Sequence, residues 1–181
     1  MILFCCEMFS QPGTRHVFVF EDAEKHLICA YTNEAEWAKV PGQQDVEFVV
    51  VGDLVGSELR TVLVQRLTED TTNNDEYTLG SNGTVLRLKR TLDVIPERVT
   101  REQKWDVRAG RAIKVAESWL EYQTHKPLPP ERRLDQLVEL PRITQFSHLP
   151  FFSLIMDPHS ERWTMGKRCV SGSLSEVLGD H

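Results

Sequence analysis

The sequence lacks the features that mark several large classes of protein. It has no unbroken apolar run of about 18 residues, the length that a membrane-spanning helix needs, so no membrane association is expected. Its 21 lysines and arginines are outnumbered by 27 aspartates and glutamates, which gives a net charge of −6. Because a protein that binds a phosphate backbone usually carries a basic excess, nucleic acid is not an expected partner. A mildly acidic surface of this kind fits solubility, or attraction to a basic partner.

Cysteine is scarce and irregularly placed. The four cysteines are Cys5, Cys6, Cys29 and Cys169, and the adjacent pair cannot easily form a bridge with itself. This pattern predicts reduced thiols and a cytoplasmic location. The N-terminal segment is mostly apolar, but it has no basic residues and is interrupted by Glu7, so it does not resemble a signal peptide.

A metal site has weak support in the sequence. Cys5, Cys6, His26 and Cys29 would converge if the first three strands are neighbours, and thiolates with imidazole suit zinc. Their spacing does not form the close cysteine pair of a structural zinc knuckle. Buried thiols explain the cysteines equally well, so the sequence predicts neither a metal nor any other cofactor.

A nucleotide-binding loop is also missing. The segment Val49–Ser57 runs from an apolar strand into Gly52 and Gly56. This spacing matches neither the dinucleotide fingerprint nor a P-loop, and no lysine follows it. The segment is therefore interpreted as a turn between strands.

The composition that remains is that of one folded domain. The chain has 181 residues, of which 40% are apolar and 27% are charged, and it contains no long linker. We expect a single domain over residues 1–181, with residues 171–181 as a flexible polar tail.

Short strands are predicted in the first half of the chain. Segments rich in β-branched and aromatic residues are His16–Phe20, Leu27–Tyr31 and Asp45–Val51. The pair Asn82-Gly83 predicts a hairpin between Tyr77–Leu79 and Thr84–Leu92. Residues 57–68 fit a helix and a strand equally well.

The segment Thr100–Gln123 decides the fold class. As a helix it would place Trp105, Ile113 and Leu120 on one stripe, although Gly110 would lie in its middle. As a hairpin it would have to turn at Ala109-Gly110, which is a weak turn, so the helix is favoured. The predicted fold is α+β: an antiparallel sheet of about six to eight strands packed against one longer helix and one or two short helices.

The polar segment Glu69–Glu76 is predicted to be an exposed loop. Four of its side chains give a superficial likeness to a calcium loop: Asp70, Asn73, Asn74 and Asp75. The ligand order and the central glycine of an EF-hand are missing, so a solvated loop is the better interpretation.

Asp157, His159 and Glu161 are the candidate catalytic residues. They lie in a predicted turn and supply the acid and imidazole groups that general acid–base catalysis uses. Neighbouring residues of a turn point in different directions, so the segment does not by itself predict an enzyme.

Two functions fit these observations. The first is a non-enzymatic binding protein that recognises a macromolecular partner, preferably a basic one, through Trp37 and Trp163. The second is a domain that binds or converts a small apolar ligand in a pocket between sheet and helix. The aromatic residues expected to line that pocket are Phe18, Phe20, Phe48, Trp105 and Trp119.

Overall fold

Antiparallel strands make up most of the chain that the computed structural model describes. The described residues are 13–22, 25–32, 34–39, 48–55, 58–81, 83–134, 137, 142–148, 152–157, 162–163 and 168–172. The strands in chain order are β1 (Thr14–Asp22), β2 (Leu27–Tyr31), β3 (Phe48–Val55), β4 (Glu58–Leu67), β5 (Thr71–Leu79), β6 (Val85–Val94), β7 (Val99–Arg108), β8 (Arg111–Glu121), β9 (Met156–Asp157), β10 (Arg162–Trp163) and β11 (Arg168–Ser171).

Nine of these strands form one sheet, and every pairing in it is antiparallel. The order across the sheet is β11-β2-β1-β3-β4-β5-β6-β7-β8. From β3 to β8 each strand pairs with the next one along the chain, which is the pattern of a meander. The two remaining strands, β9 and β10, pair with each other.

The strands form because their apolar residues alternate and their turns allow tight reversal. Residues directly opposite each other on antiparallel strands lie on the same face of the sheet. Val17, Val50 and Val64 are opposite one another on β1, β3 and β4, and all three are buried. Complete burial of a side chain of this size contributes about 1.5–3 kcal/mol. We call the face that carries these valines the covered face.

The chain after β8 packs onto the covered face. The backbone N–H of Leu128 donates to the carbonyl of Trp119, and the N–H of Val85 donates to the carbonyl of Thr144. Further along, Leu154 and Met156 join the same buried cluster as the valines. The described parts of this segment therefore contact β8, β6 and β2 in turn, and they help to shield one face of the sheet from water.

The α+β prediction is wrong, because the segment expected to be the long helix is a hairpin. Val99–Arg108 and Arg111–Glu121 are β7 and β8. The turn between them places Ala109 at a φ of 50° and Gly110 at a φ of 72°. Two successive positive φ angles are the geometry of a type I′ turn, which matches the twist of the flanking strands. In the described residues the α-helices, α1 (Glu34–Trp37) and α2 (Phe152–Ile155), have four residues each, and two 3-10 turns lie at Pro130–Arg132 and Phe146–His148.

The structure also decides three further segments of the sequence interpretation. Residues 57–68, which fitted either structure, contain β4. The predicted exposed loop Glu69–Glu76 is wrong: β5 begins at Thr71, and Asn73 and Asp75 are buried. Gly52 lies within β3, which pairs with β4, so no helix follows it as a phosphate loop would require.

The prediction of reduced thiols is wrong for two of the cysteines. Cys29 on β2 and Cys169 on β11 lie directly opposite each other and form a disulfide. The argument for the cytoplasm rested on reduced cysteines and loses that support. Cys5 and Cys6 lie outside the described residues. Within the described ranges, no helix has the length and apolar character that crossing a membrane requires.

Candidate functional site

The covered face carries a group of buried polar side chains in the half of the sheet formed by β4 to β8. Asn73, Asp75, Arg90 and Gln103 are each at most 7% exposed. Polar groups of this kind are stable in a core only when their hydrogen bonds are satisfied. Their burial therefore implies a network of hydrogen bonds among them.

Three neighbouring rows of opposed residues form this arrangement, and we call them the polar rows. The first row contains Asp75, Arg90, Gln103 and Glu117. The second contains Arg66, Asn73, Arg101 and Trp119, together with Leu92. The third contains Tyr77, Trp105 and Lys114, together with Leu88. Alternation along each strand and registry between strands bring these residues to one face.

An ion pair between Asp75 and Arg90 forms the buried end of the polar rows. The Nε atom of Arg90 lies 2.6 Å from one carboxylate oxygen of Asp75, and a terminal guanidinium nitrogen lies 2.6 Å from the other. Asn73 donates to the same carboxylate at 3.3 Å, and the Tyr77 hydroxyl donates at 3.1 Å. Because four hydrogen bonds reach the Asp75 carboxylate, this end of the rows is a closed structural network.

The Tyr77 hydroxyl remains protonated in this network. Burial raises the pKa of Tyr77 well above its ordinary value, and the negative charge of Asp75 raises it further. The positive charge of Arg90 acts in the opposite direction with a smaller effect. The phenol therefore serves as a hydrogen-bond donor to Asp75 across the whole neutral range.

A second carboxylate, that of Glu117, forms the accessible end. It accepts hydrogen bonds from the Nε atom of Arg101 at 2.7 Å, from the Nε2 atom of Gln103 at 2.8 Å and from the Nζ atom of Lys114 at 3.2 Å. Partial burial raises the pKa of Glu117, but these three hydrogen bonds together outweigh it and hold the pKa below its ordinary value. The carboxylate is therefore ionised at neutral pH.

Among the ion-paired side chains of the polar rows, those on β8 are the most exposed. The side chain of Arg90 is 5% exposed, that of Arg101 13%, that of Glu117 30% and that of Lys114 44%. The last two residues lie on β8, at the end of the sheet opposite to β11. A solute would therefore meet Lys114 and Glu117 first, and Arg101 behind them.

Two tryptophans lie in the polar rows, next to cationic side chains. The guanidinium carbons of Arg90 and Arg142 lie 5.7 and 5.8 Å from the ring centroid of Trp105, and that of Arg101 lies 5.2 Å from the centroid of Trp119. These distances are within the range of cation–π attraction. The indole N–H of Trp105 is buried and donates to no acceptor in the part of the chain that the structure describes. A donor left in this state costs about 1–3 kcal/mol.

The five aromatic residues predicted to line an apolar pocket do not form one group. Trp105 and Trp119 are in the polar rows. Phe18 packs with Cys29 and Tyr31 in a separate cluster on the opposite face. Phe20 belongs to β1 and Phe48 to β3, but the structure does not describe the side chain of either residue.

The remaining predicted site residues stay predictions. Trp37 ends α1, and Trp163 lies in β10 opposite Met156, but neither side chain is described. Asp157 lies in β9, while His159 and Glu161 fall outside the described residues.

The alternative metal site has lost a ligand, because Cys29 is in the disulfide. His26 lies in the exposed turn between β1 and β2. The described ranges contain no group of three or more histidine, cysteine, aspartate or glutamate side chains that could hold a metal ion.

The polar rows were missed because Asn73 and Asp75 were assigned to a loop. A signal for them was present in the sequence. A hairpin pairs strands of similar length, and the strand Thr84–Leu92 is too long for a partner that consists of Tyr77–Leu79 alone. Extending the partner strand backwards from the Asn82-Gly83 turn reaches Asn73 and places alternate residues on one face.

No known protein family, no curated protein and no solved structure matches the chain.

Proposed function

We propose that the protein binds a small molecule that carries an oxyanion, a carboxylate or a phosphate, at the accessible end of the polar rows. The donors are Arg101 and Gln103 on β7 and Lys114 on β8, with the indole of Trp105 beside them. The oxyanion is the recognised chemistry, and the partly exposed side chain of Trp119 offers a surface for the rest of the ligand.

The observation that carries the proposal is the convergence of three donors on one carboxylate. Arg101, Gln103 and Lys114 reach the oxygens of Glu117 from two strands, at 2.7 to 3.2 Å. Charge-assisted hydrogen bonds of this kind are about twice as strong as neutral ones and select planar or tetrahedral oxyanions. The donor set is therefore already arranged for a carboxylate group.

The Trp105 indole supplies an independent observation. Its N–H is buried, donates to no described acceptor, and belongs to a residue directly opposite Lys114. A ligand oxygen near Lys114 would offer an acceptor to a group that has none among the described residues. Binding sites commonly combine apolar walls with a few convergent polar groups of this kind.

The dimensions suit a small molecule. Neighbouring strands lie about 4.8 Å apart, and alternate residues along a strand lie about 6.8 Å apart, so three rows over two strands cover about 14 Å by 5 Å. The proposal keeps the small ligand of the second sequence hypothesis but replaces its apolar recognition by recognition of charge. Binding is proposed without a reaction, because the Tyr77 hydroxyl beside Asp75 is buried and the Lys114 amine is ion-paired with Glu117.

Calorimetric titration in a phosphate-free buffer tests the proposal. Phenyl phosphate and benzoate are the two oxyanion probes, and benzyl alcohol and benzylamine are the neutral and cationic controls. We expect the oxyanions to bind saturably and the controls to bind at least about tenfold more weakly, since a charged hydrogen bond contributes about 1.5–3 kcal/mol.

The matched variants are Lys114→Gln and Lys104→Gln. Lys104 lies on the other face of β7, opposite Ala116, so its loss changes the net charge equally without touching the donors. We expect Lys114→Gln to weaken oxyanion binding about tenfold or more, and Lys104→Gln to leave it within about twofold. Equal affinity for benzyl alcohol and benzoate, or equal effects of the two variants, would contradict the proposal.

A further inference from the structure

The Glu117 carboxylate occupies the position that the proposed function assigns to the ligand. We infer that Glu117 is a built-in competitor: its side chain holds the oxyanion donors in the ligand-free protein and must leave them when a ligand oxyanion binds. The inference rests on the proposed function and specifies how the affinity of that same site is set.

The hydrogen bonds of Glu117 define the competition. One carboxylate oxygen accepts from both Arg101 and Gln103, and the other accepts from Lys114. An incoming carboxylate or phosphate needs the same three donors. Two carboxylates that share donors would stand within a few ångströms of each other, and like charges at such distances repel strongly. The donors therefore serve one oxyanion at a time.

The surroundings of Glu117 allow its side chain to move, in contrast to those of Asp75. Glu117 is 30% exposed and lies on β8, whose residues 111–118 are exposed except for Ala112. Its departure returns the carboxylate to water and leaves the backbone pairing of β8 intact. The side chain of Asp75 is only 8% exposed and accepts four hydrogen bonds within the core. Glu117 is therefore the displaceable carboxylate of the two.

Removal of the competitor should strengthen oxyanion binding. We expect Glu117→Ser to lower the Kd for phenyl phosphate about tenfold or more, because the donors no longer hold an internal carboxylate. The matched control is Glu102→Ser, which removes one negative charge from the opposite face of β7, where Glu102 lies opposite Ser118. That variant should change the Kd by less than about threefold, through long-range charge alone.

Two outcomes separate this inference from the function on which it rests. If wild type binds phenyl phosphate and Glu117→Ser binds it equally or more weakly, Glu117 is not a competitor and the proposed function stands. If neither protein binds any oxyanion probe, the proposed function fails and the inference fails with it. Binding by Glu117→Ser alone supports the competition by Glu117 and contradicts the proposed function, because the internal carboxylate then keeps the site of the unaltered protein closed.

A measurement on the unaltered protein covers the case in which Glu117→Ser does not fold. In wild type labelled with carbon-13 at the glutamate carboxyl groups, the resonance of Glu117 is expected to move towards the position of a solvated glutamate as phenyl phosphate saturates. The Glu102 resonance serves as the internal control. A Glu117 resonance that stays in place at saturation overturns the inference.

Discussion

The buried ion pair of Asp75 and Arg90 gives a sharp test of the core of this structure. Replacing Asp75 by leucine removes the acceptor of four hydrogen bonds, from Arg90 (two), Asn73 and Tyr77. The Arg90 side chain is 5% exposed, so its positive charge would remain buried without that carboxylate. Breaking one side of such a pair is more costly than the pair itself is worth.

The expected loss follows from the burial of the remaining charge. Removal of one partner from a buried pair costs about 3–5 kcal/mol. For a domain of this size, each kcal/mol lowers the Tm by about 2–4 °C, so the Tm of Asp75→Leu should fall by about 6–20 °C. The double variant Asp75→Leu with Arg90→Met replaces both charges by apolar groups and should be more stable than either single variant.

Urea unfolding followed by circular dichroism measures these differences. A surface pair in the same sheet is the control: Arg60 and Glu58 are 43% and 54% exposed, and Arg60→Met should cost at most about 1 kcal/mol. The reasoning is refuted if Asp75→Leu costs no more than Arg60→Met, or if the free-energy losses of the two single variants simply add in the double variant.

Three further predictions follow from the described contacts. Cys169→Ser removes the disulfide to Cys29, which spans 140 residues, and should lower the free energy of unfolding in urea by about 2–5 kcal/mol. A stability equal to that of wild type under both reducing and oxidising conditions would show that the bond does not form. Both residues of the β7–β8 turn have a positive φ, which glycine adopts at lower cost than alanine. Ala109→Gly should therefore stabilise the protein by about 0.5–1 kcal/mol, and Gly110→Ala should destabilise it by about 1 kcal/mol. Changes in Tm of the same sign for the two variants would refute the prediction. Burial raises the pKa of Tyr77, so the unfolded chain releases the phenol proton at a lower pH than the folded protein does. The free energy of unfolding of wild type should therefore fall as the pH rises above about 10 towards the folded pKa, and that of Tyr77→Phe should fall less. An identical dependence of stability on pH in the two proteins would count against the raised pKa.

The part of the fold that the sequence predicts well is the part with local signals. The hairpin of β5 and β6 lies where the glycine-containing turn predicts it: the N–H of Gly83 donates to the carbonyl of Gly80, and Gly83 has a φ of 72°. The hairpin at Ala109-Gly110 has a weaker turn, and its strands also carry apolar residues at helical spacing. Propensity and periodicity favour a helix there, because they do not reflect the long-range pairing of β7 with β6. That pairing determines that the segment is a hairpin.

Most of the candidate site could not be predicted from the sequence, because its polar residues lie at buried positions where apolar residues are expected. Asn73 and Asp75 give β5 the composition of a loop, and their burial depends on a network in which Arg90, Asn73 and Tyr77 donate to the Asp75 carboxylate. Trp105 and Trp119 are among the aromatic residues that the sequence analysis names, but their cationic neighbours are not. The disulfide was missed because Cys29 and Cys169 are brought together by sheet pairing alone, across 140 residues of sequence.

The central claim is that the polar rows hold an external oxyanion at their β7–β8 end. Nitrogen-15 NMR of the tryptophan indole groups tests it most directly, since the buried Trp105 N–H donates to no described acceptor and lies opposite Lys114. Titration with phenyl phosphate should move the Trp105 indole proton saturably downfield, as a new hydrogen bond forms, while benzyl alcohol leaves it in place. A Trp105 resonance that does not respond to any oxyanion would contradict the claim.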